Sequence, residues 1–394
     1  MATVRLNRGF QLLLAALAAV SLLTISTLDS RLVAAAYNNL GCVAFTHATI
    51  EAAPRQLEMA EDRFLHAIRW APSLSQALRN RGRVYLVKGE FNNAVEVLRQ
   101  SIKYEPLNRM GYLELGNAQL SGGNRIDALH TWRLGHVRPT YFWGVGEQYY
   151  RKGDIDQALV YYRLANEIDP DYAKAYLGLG RCYQAIGALD DAVAAFETAV
   201  ELDPTDCDMH FALADALRQR KRDGDWSEAT IHFREAIGHG YQSILAYIDL
   251  GSLLEGLGRD DEALAVLKEA TERWPHRGLS LEAMGRIYRK KGNLDLAKSF
   301  LQSAVDKEPS YAPTHFQLAL VYSQLGALDL AIRHYEEAVR LRPTIPSYRL
   351  SLADAYMSAG DAARAVAEYR QVLALDPDND AARRALESME GVNR

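Results

Sequence analysis

Apolar residues recur along this chain at i, i+3, i+4 and i+7, in short stretches separated by polar breaks that carry glycine or proline. That spacing is the period of amphipathic helices. In residues 173–206, Tyr176, Leu179, Gly180 and Tyr183 mark one apolar stripe, and Ala192, Phe196 and Ala199 mark the next. Ile186–Gly187–Ala188 separates them, as Lys291–Gly292–Asn293 separates a later pair. The pattern predicts a helix, a glycine turn and an antiparallel helix. It predicts no strand.

The pattern keeps time. Alanine falls at Ala60, Ala94, Ala128, Ala158, Ala192, Ala229, Ala263, Ala297, Ala331 and Ala365, and seven of the nine steps are 34 residues. Pro72, Pro106, Pro170, Pro204, Pro275, Pro309, Pro343 and Pro377 each follow a marker alanine by 12 residues. Proline donates no backbone hydrogen bond, so it ends one helix and opens the next turn. Gly82, Gly116, Gly146, Gly180, Gly251 and Gly285 share one place on the first helix of their units. Small residues there let the helix backbones approach. Three positions later, Tyr85, Tyr149, Tyr183, Tyr288, Tyr322 and Tyr356 are placed to fill the gap between units. A lone helix pair cannot bury its apolar stripe, so a fixed period of this length implies stacked copies that present surface.

The motif resembles that of the tetratricopeptide repeat family: an aromatic residue, then L-G-x2-Y, then A-x3-F, then P. Residues 173–206 carry it most fully, through Tyr176, Leu179, Gly180, Tyr183, Ala192, Phe196, Ala199 and Pro204. The resemblance spans residues 34–379 as ten units: 34–74, 75–108, 109–138, 139–172, 173–206, 207–243, 244–277, 278–311, 312–345 and 346–379. It implies an all-α, right-handed superhelical solenoid. Residues 380–394 read as a capping helix, with Ala382, Leu386 and Met389 on its inner side.

The family's concave groove draws on the second, fifth, ninth and twelfth positions of each first helix. Carried over by register, these imply a partner-binding row of Gln76, Arg79, Arg83, Asn117, Trp143, Glu147, Tyr150, Lys174 and Arg181. Farther along come Asp208, Asp215, Asp249 and Glu255, then Glu282, Arg286 and Arg289. Arg79 and Arg83 stand four apart, where they could fork onto a carboxylate or phosphate. The family's full carboxylate clamp is not matched. Trp132, Phe142, Tyr149 and Tyr162 fall on packing positions, whereas Trp143 and Tyr150 fall on the groove side.

Three units depart from the period. The first carries extra residues around Thr49–Arg55, unit 109–138 is four short, and unit 207–243 carries three extra in 221–225. Local bends or protruding turns are expected there.

Residues 1–33 form a separate segment. Arg5 and Arg8 precede Phe10–Leu28, 19 residues without charge. As a helix these reach roughly 28 Å at about 1.5 Å per residue, near the ~30 Å hydrocarbon thickness. The expectation is a single-pass anchor with the N-terminus inside and the repeats on the extracytoplasmic side. Signal cleavage after Ala34–Ala35–Ala36, giving a secreted or periplasmic form, remains open, as does a buried capping helix.

Charge and chemistry narrow the function. With 45 basic and 50 acidic residues the chain offers no basic excess for nucleic acid. It lacks the G-x-x-x-x-G-K-[ST] and H-E-x-x-H patterns and any C-x-x-C pair. Asp376–Pro377–Asp378–Asn379–Asp380 lacks the glycine and distant glutamate of a calcium loop and reads as helix punctuation. Neither cofactor nor metal is expected. The expectation is a non-catalytic scaffold, tethered to a membrane, that holds a protein or peptide partner in envelope or secretion assembly. The alternatives are a soluble module binding peptide or glycan, or an accessory subunit of an envelope transferase.

Overall fold

The computed structural model describes residues 29–51 and 54–392, and all of its regular structure there is helical. The expected span at 10–28 lies outside the described residues. Among the described residues, no helix is long and apolar enough to cross a membrane.

The helices pair as the period requires. The pairs are α1 (Ser30–Glu51) and α2 (Pro54–Trp70), α3 (Ser75–Lys88) and α4 (Phe91–Tyr104), α5 (Arg109–Ser121) and α6 (Arg125–Leu134), and α7 (Pro139–Arg151) and α8 (Ile155–Ile168). Next are α9 (Ala173–Ala185) and α10 (Leu189–Leu202), α11 (Cys207–Arg220) and α12 (Asp225–Gly238), and α13 (Ile244–Gly256) and α14 (Asp260–Arg273). Then follow α15 (Leu279–Lys290) and α16 (Leu294–Lys307), α17 (Ala312–Gln324) and α18 (Leu328–Leu341), and α19 (Pro346–Ser358) and α20 (Ala362–Leu375). A final helix, α21 (Asp380–Val392), stands alone. Packing divides the chain into two compact units, Met1–Gly178 and Leu179–Arg394, with the break inside α9.

The marker residues do what their spacing implies. All ten alanines are fully buried, at 0% exposure. Each faces its partner helix where bulk would force the pair apart. A Cβ on Gly82 would fall 2.6 Å from Leu98 Cγ, and one on Gly116 would land on the Trp132 indole. In the first unit one core gathers Leu113, Ala128, Trp132, Val137, Phe142 and Leu164. In the second, Tyr335, Leu352, Tyr356, Tyr369 and Ala382 belong to a core against which Leu386 and Met389 pack. The C-terminal helix is therefore seated by its apolar side. Just before it, Asn379 Oδ1 accepts from Ala382 N at 3.1 Å, so the aspartate-rich stretch caps a helix.

The irregular units absorb their length changes differently. The extra residues of the first lengthen its helices to 22 and 17 residues, against 14 in α3 and in α4. Added backbone in a helix satisfies its own hydrogen bonds, whereas a loop would not; the expected turn itself lies at residues 52–53, outside the described residues. The first helix also starts at Ser30, ahead of residue 34, because Asp29 Oδ1 accepts from Arg31 N at 3.0 Å. In unit 109–138 the loss falls on the second helix, which has 10 residues. The insert at 221–225 is a tied turn. Asp225, 2% exposed, accepts from Arg220 Nη2 at 2.7 Å, Arg220 Nε at 3.0 Å and Arg222 N at 2.8 Å. Among the described residues, the two non-glycine positions with positive φ are His136 (50°) and Lys221 (59°), one in each of these last two units.

Candidate functional site

The candidate row lies on first helices, whose opposite sides carry the packing residues. In the unit Met1–Gly178, Gln76 and Arg83 on α3 and Lys174 on α9 are exposed. Asn117 on α5 and Glu147 and Tyr150 on α7 are half-buried.

Arg79 is not free to act with Arg83. Its Nε lies 3.5 Å from Glu114 Oε2, with the two side chains only 19% and 13% exposed. Both atoms are buried without a hydrogen-bond partner. Burial pushes the Glu114 carboxyl above the usual range, and Arg79 and Arg83 pull it back. Arg83 also holds its guanidinium carbon 5.3 Å above the Phe45 ring. Arg79 is thus engaged with a neighbouring first helix, while Arg83 stays exposed beside an aromatic face.

Trp143 is also less free than its register suggests. It is half-buried and packs against the core that holds Trp132 and Phe142. Glu147 Oε1 accepts from Tyr162 Oη at 2.8 Å, so that carboxylate partly serves packing. Trp132, Phe142 and Tyr162 are buried as their register implies, and Tyr149 stacks on Tyr161 with centroids 5.4 Å apart.

The second unit, Leu179–Arg394, carries Arg181, half-buried on α9. The row it begins is more acidic. Asp215 accepts from Gln184 Nε2 at 2.8 Å, from Gln219 Nε2 at 2.7 Å and from Arg218. Glu255 Oε2 meets Arg286 Nη2 at 3.0 Å. Burial raises the carboxyl pKa of Asp249 and of Glu282, against the pull of Arg218 and Arg286 respectively.

Glu114 was missed by the register, whereas Arg218 falls on its twelfth position and was left out of the candidate row. Glu114 sits one position outside the family's groove set, yet it meets a residue 35 positions earlier. The usable signal is opposite charge about one repeat apart, because successive first helices lie side by side.

Such a row can recognise charged and aromatic side chains through guanidinium, ammonium, carboxylate and ring faces. Among the described residues, no group of three or more His, Cys, Asp or Glu side chains is placed to hold a metal ion.

Family models described as tetratricopeptide repeat match residues 79–132, 149–220, 244–275, 282–346 and 324–388. No curated protein aligns significantly with the chain. Among solved structures, MamA is 26% identical over 42% of this chain and 95% of its own, with a TM-score of 0.39. PilF of Pseudomonas aeruginosa is 19% identical over 55% and 97%, with a TM-score of 0.46. YrrB, described as a TPR protein with an unusual peptide-binding site, is 17% identical over 57% and 97%, with a TM-score of 0.35. The repeat models together cover more than half of the sequence, and the chain belongs to the tetratricopeptide repeat family.

Proposed function

We propose that this chain is a non-catalytic scaffold whose first-helix rows hold a protein or peptide partner. The observation that carries this reading is the division of labour on α3, α5 and α7. Small and apolar residues on these helices are buried, while Gln76 and Arg83 stand exposed and Asn117 and Tyr150 remain half-open beside them. Lys174 extends the exposed cations to the start of α9. Arg83 and Lys174 favour a partner segment with carboxylates, since exposed cations raise association rate and register more than raw affinity.

Residues 10–28 supply the tether in this reading, with the repeats outside the cytoplasm in envelope or secretion assembly. The burial of Val33 (6% exposed) and Ala34 (0%) in α1 supports retention of the segment. Cleavage after Ala36 would remove two turns of a packed helix.

The test is capture of partners by the full chain after cross-linking, in wild type and in Arg83→Glu with Lys174→Glu. Loss of capture at an unchanged melting temperature is expected. Unchanged capture would end the assignment of this row. A mature protein that starts at Tyr37 would end the tether, and turnover of a substrate by the purified chain would end the non-catalytic reading.

A further inference from the structure

In the unit Met1–Gly178, first helices begin and second helices end along one edge, because each pair is antiparallel. Helix ends and turns along that edge expose Leu32, Trp70, Tyr104, Leu107, Met110 and Leu134. Leu107 is the plainest case, at 98% exposure. It follows a marker proline, and the residue at that place is polar elsewhere, as in Ser73, Asp171, Thr205 and Asp378. A single exposed apolar residue is ordinary, but a row of them on successive turns marks a contact surface.

Cations alternate with these side chains. Arg69, Lys103, Arg109 and Arg138 are exposed and make no ion pair among the described residues. The one acid within 69–74, 103–110 and 133–141 is Glu105, which accepts from Asn108 Nδ2 at 2.7 Å. The next turn of the same unit, 167–173, holds Glu167, Asp169 and Asp171 and no cation. The basic and apolar strip therefore belongs to the turns nearest the start of α1, where the uncharged segment 10–28 joins the repeats.

We propose that this edge lies against an anionic phospholipid surface, with its apolar tips in the interface and its unpaired cations on the phosphates. The proposal rests on the tether reading of residues 10–28. From Leu28 to Leu32 there are four residues, at most ~14 Å of chain, so a span ending at Leu28 holds the edge beside the headgroup layer. Tryptophan and tyrosine rings suit that layer, and arginine and lysine complement its charge.

The test places the full chain in vesicles of phosphatidylcholine and phosphatidylglycerol in equal parts, and in phosphatidylcholine alone, each with brominated acyl chains. The Trp70 signal is the fluorescence difference between wild type and Trp70→Phe. Quenching of that signal is expected in the anionic vesicles, and less in the neutral ones. Arg69→Gln with Arg109→Gln should weaken docking about fivefold for each cation removed. Leu107→Ser should weaken it too, at an unchanged melting temperature. Extraction at alkaline pH reads the tether on its own. A chain retained in the bilayer whose Trp70 is unquenched, equally quenched in both vesicles, or indifferent to these changes would overturn the proposal and spare the tether. A chain released from the bilayer would overturn both. Protection of residues 103–110 from hydrogen exchange by a co-purifying protein, with Trp70 unquenched, would assign the strip to a protein partner instead.

Discussion

Unit 109–138 and unit 207–243 break the same period in opposite directions, and they close the break by different means. The first lost residues from its second helix, which ends after 10, and His136 takes up a left-handed conformation to turn the chain. Its packing is kept by one large side chain, Trp132, at 0% exposure, whose Nε1 donates to Leu113 O at 3.2 Å. The second gained residues and closed them with charge. Asp225 gathers Arg220 and the Arg222 backbone, while Asp190 takes both guanidiniums at the surface. Deleted backbone leaves space for a side chain to fill; inserted backbone leaves polar groups to satisfy. A repeat array therefore tolerates both, provided the remedy suits the defect.

If Trp132 alone holds the short unit, Trp132→Ala should cost about 3–5 kcal/mol, the usual cost of emptying a large aromatic site. Urea unfolding followed by circular dichroism would measure it. A loss below about 1 kcal/mol would mean that the site collapses and the contrast fails.

Removing the charge remedy should cost less. Asp225→Ala leaves Arg220, whose side chain is 18% exposed, with only the 3.7 Å contact to Asp190, and should cost about 2–3 kcal/mol. Hydrogen exchange resolved by peptide should show the loss in α11 and α12 while α5 and α6 keep their protection. Acid should act the same way. The Arg220 hydrogen bonds hold the Asp225 carboxyl below its ordinary value of 3.8, so its stabilisation is present above that pH and is lost as pH falls through the folded pKa.

Histidine sharpens the contrast at milder pH. His210 Nε2 lies 3.0 Å from Pro204 O and must carry the proton there, so its Nδ1 accepts from His232 Nδ1 at 3.0 Å. His315 and His334 repeat the arrangement, Nδ1 to Nδ1 at 3.1 Å, with His315 Nε2 on Pro309 O at 2.9 Å. Burial, then the partner imidazole, lowers the pKa of His232 and of His334 below 6.5, against Glu235 and Glu337. A lowered pKa favours the neutral ring in the fold. The stabilisation is fully present above pH 6.5, declines as pH falls from 6.5 towards the lowered folded pKa, by up to ~1.4 kcal/mol per pH unit for each ring, and levels off below it. Stability measured between pH 7.5 and 5 should fall in wild type and flatten in His232→Gln with His334→Gln. An equally steep fall in the variant would rule out the pairs as its source.

The smallest effect concerns the two strained turns. His136→Gly and Lys221→Gly relieve left-handed residues but loosen the unfolded chain, for a net gain of about 0.5 kcal/mol each. Urea midpoints would show whether both turns store strain or only one.

The helix pairs, their order and the burial of the marker alanines were legible in the sequence, because each follows from local spacing repeated ten times. The Asp376–Asp380 stretch could be read as punctuation for the same reason. The partner row was legible only as positions. Register placed Arg79, Arg83 and Trp143 together, but Arg79 turned to Glu114, Arg83 to Phe45, and Trp143 to the core. Those choices depend on what the next repeat offers one turn away, which no local spacing encodes.

The sequence by itself determined the architecture: an amphipathic helix pair cannot bury its stripe alone, so the period compels the stack. Tertiary structure decided which polar groups the stack leaves unpaired. Glu114, Asp225 and Gln119 are ordinary residues in the sequence, and their different fates, ion-paired, tied into a turn or buried without a hydrogen-bond partner, come from the distance and dielectric that neighbouring repeats impose.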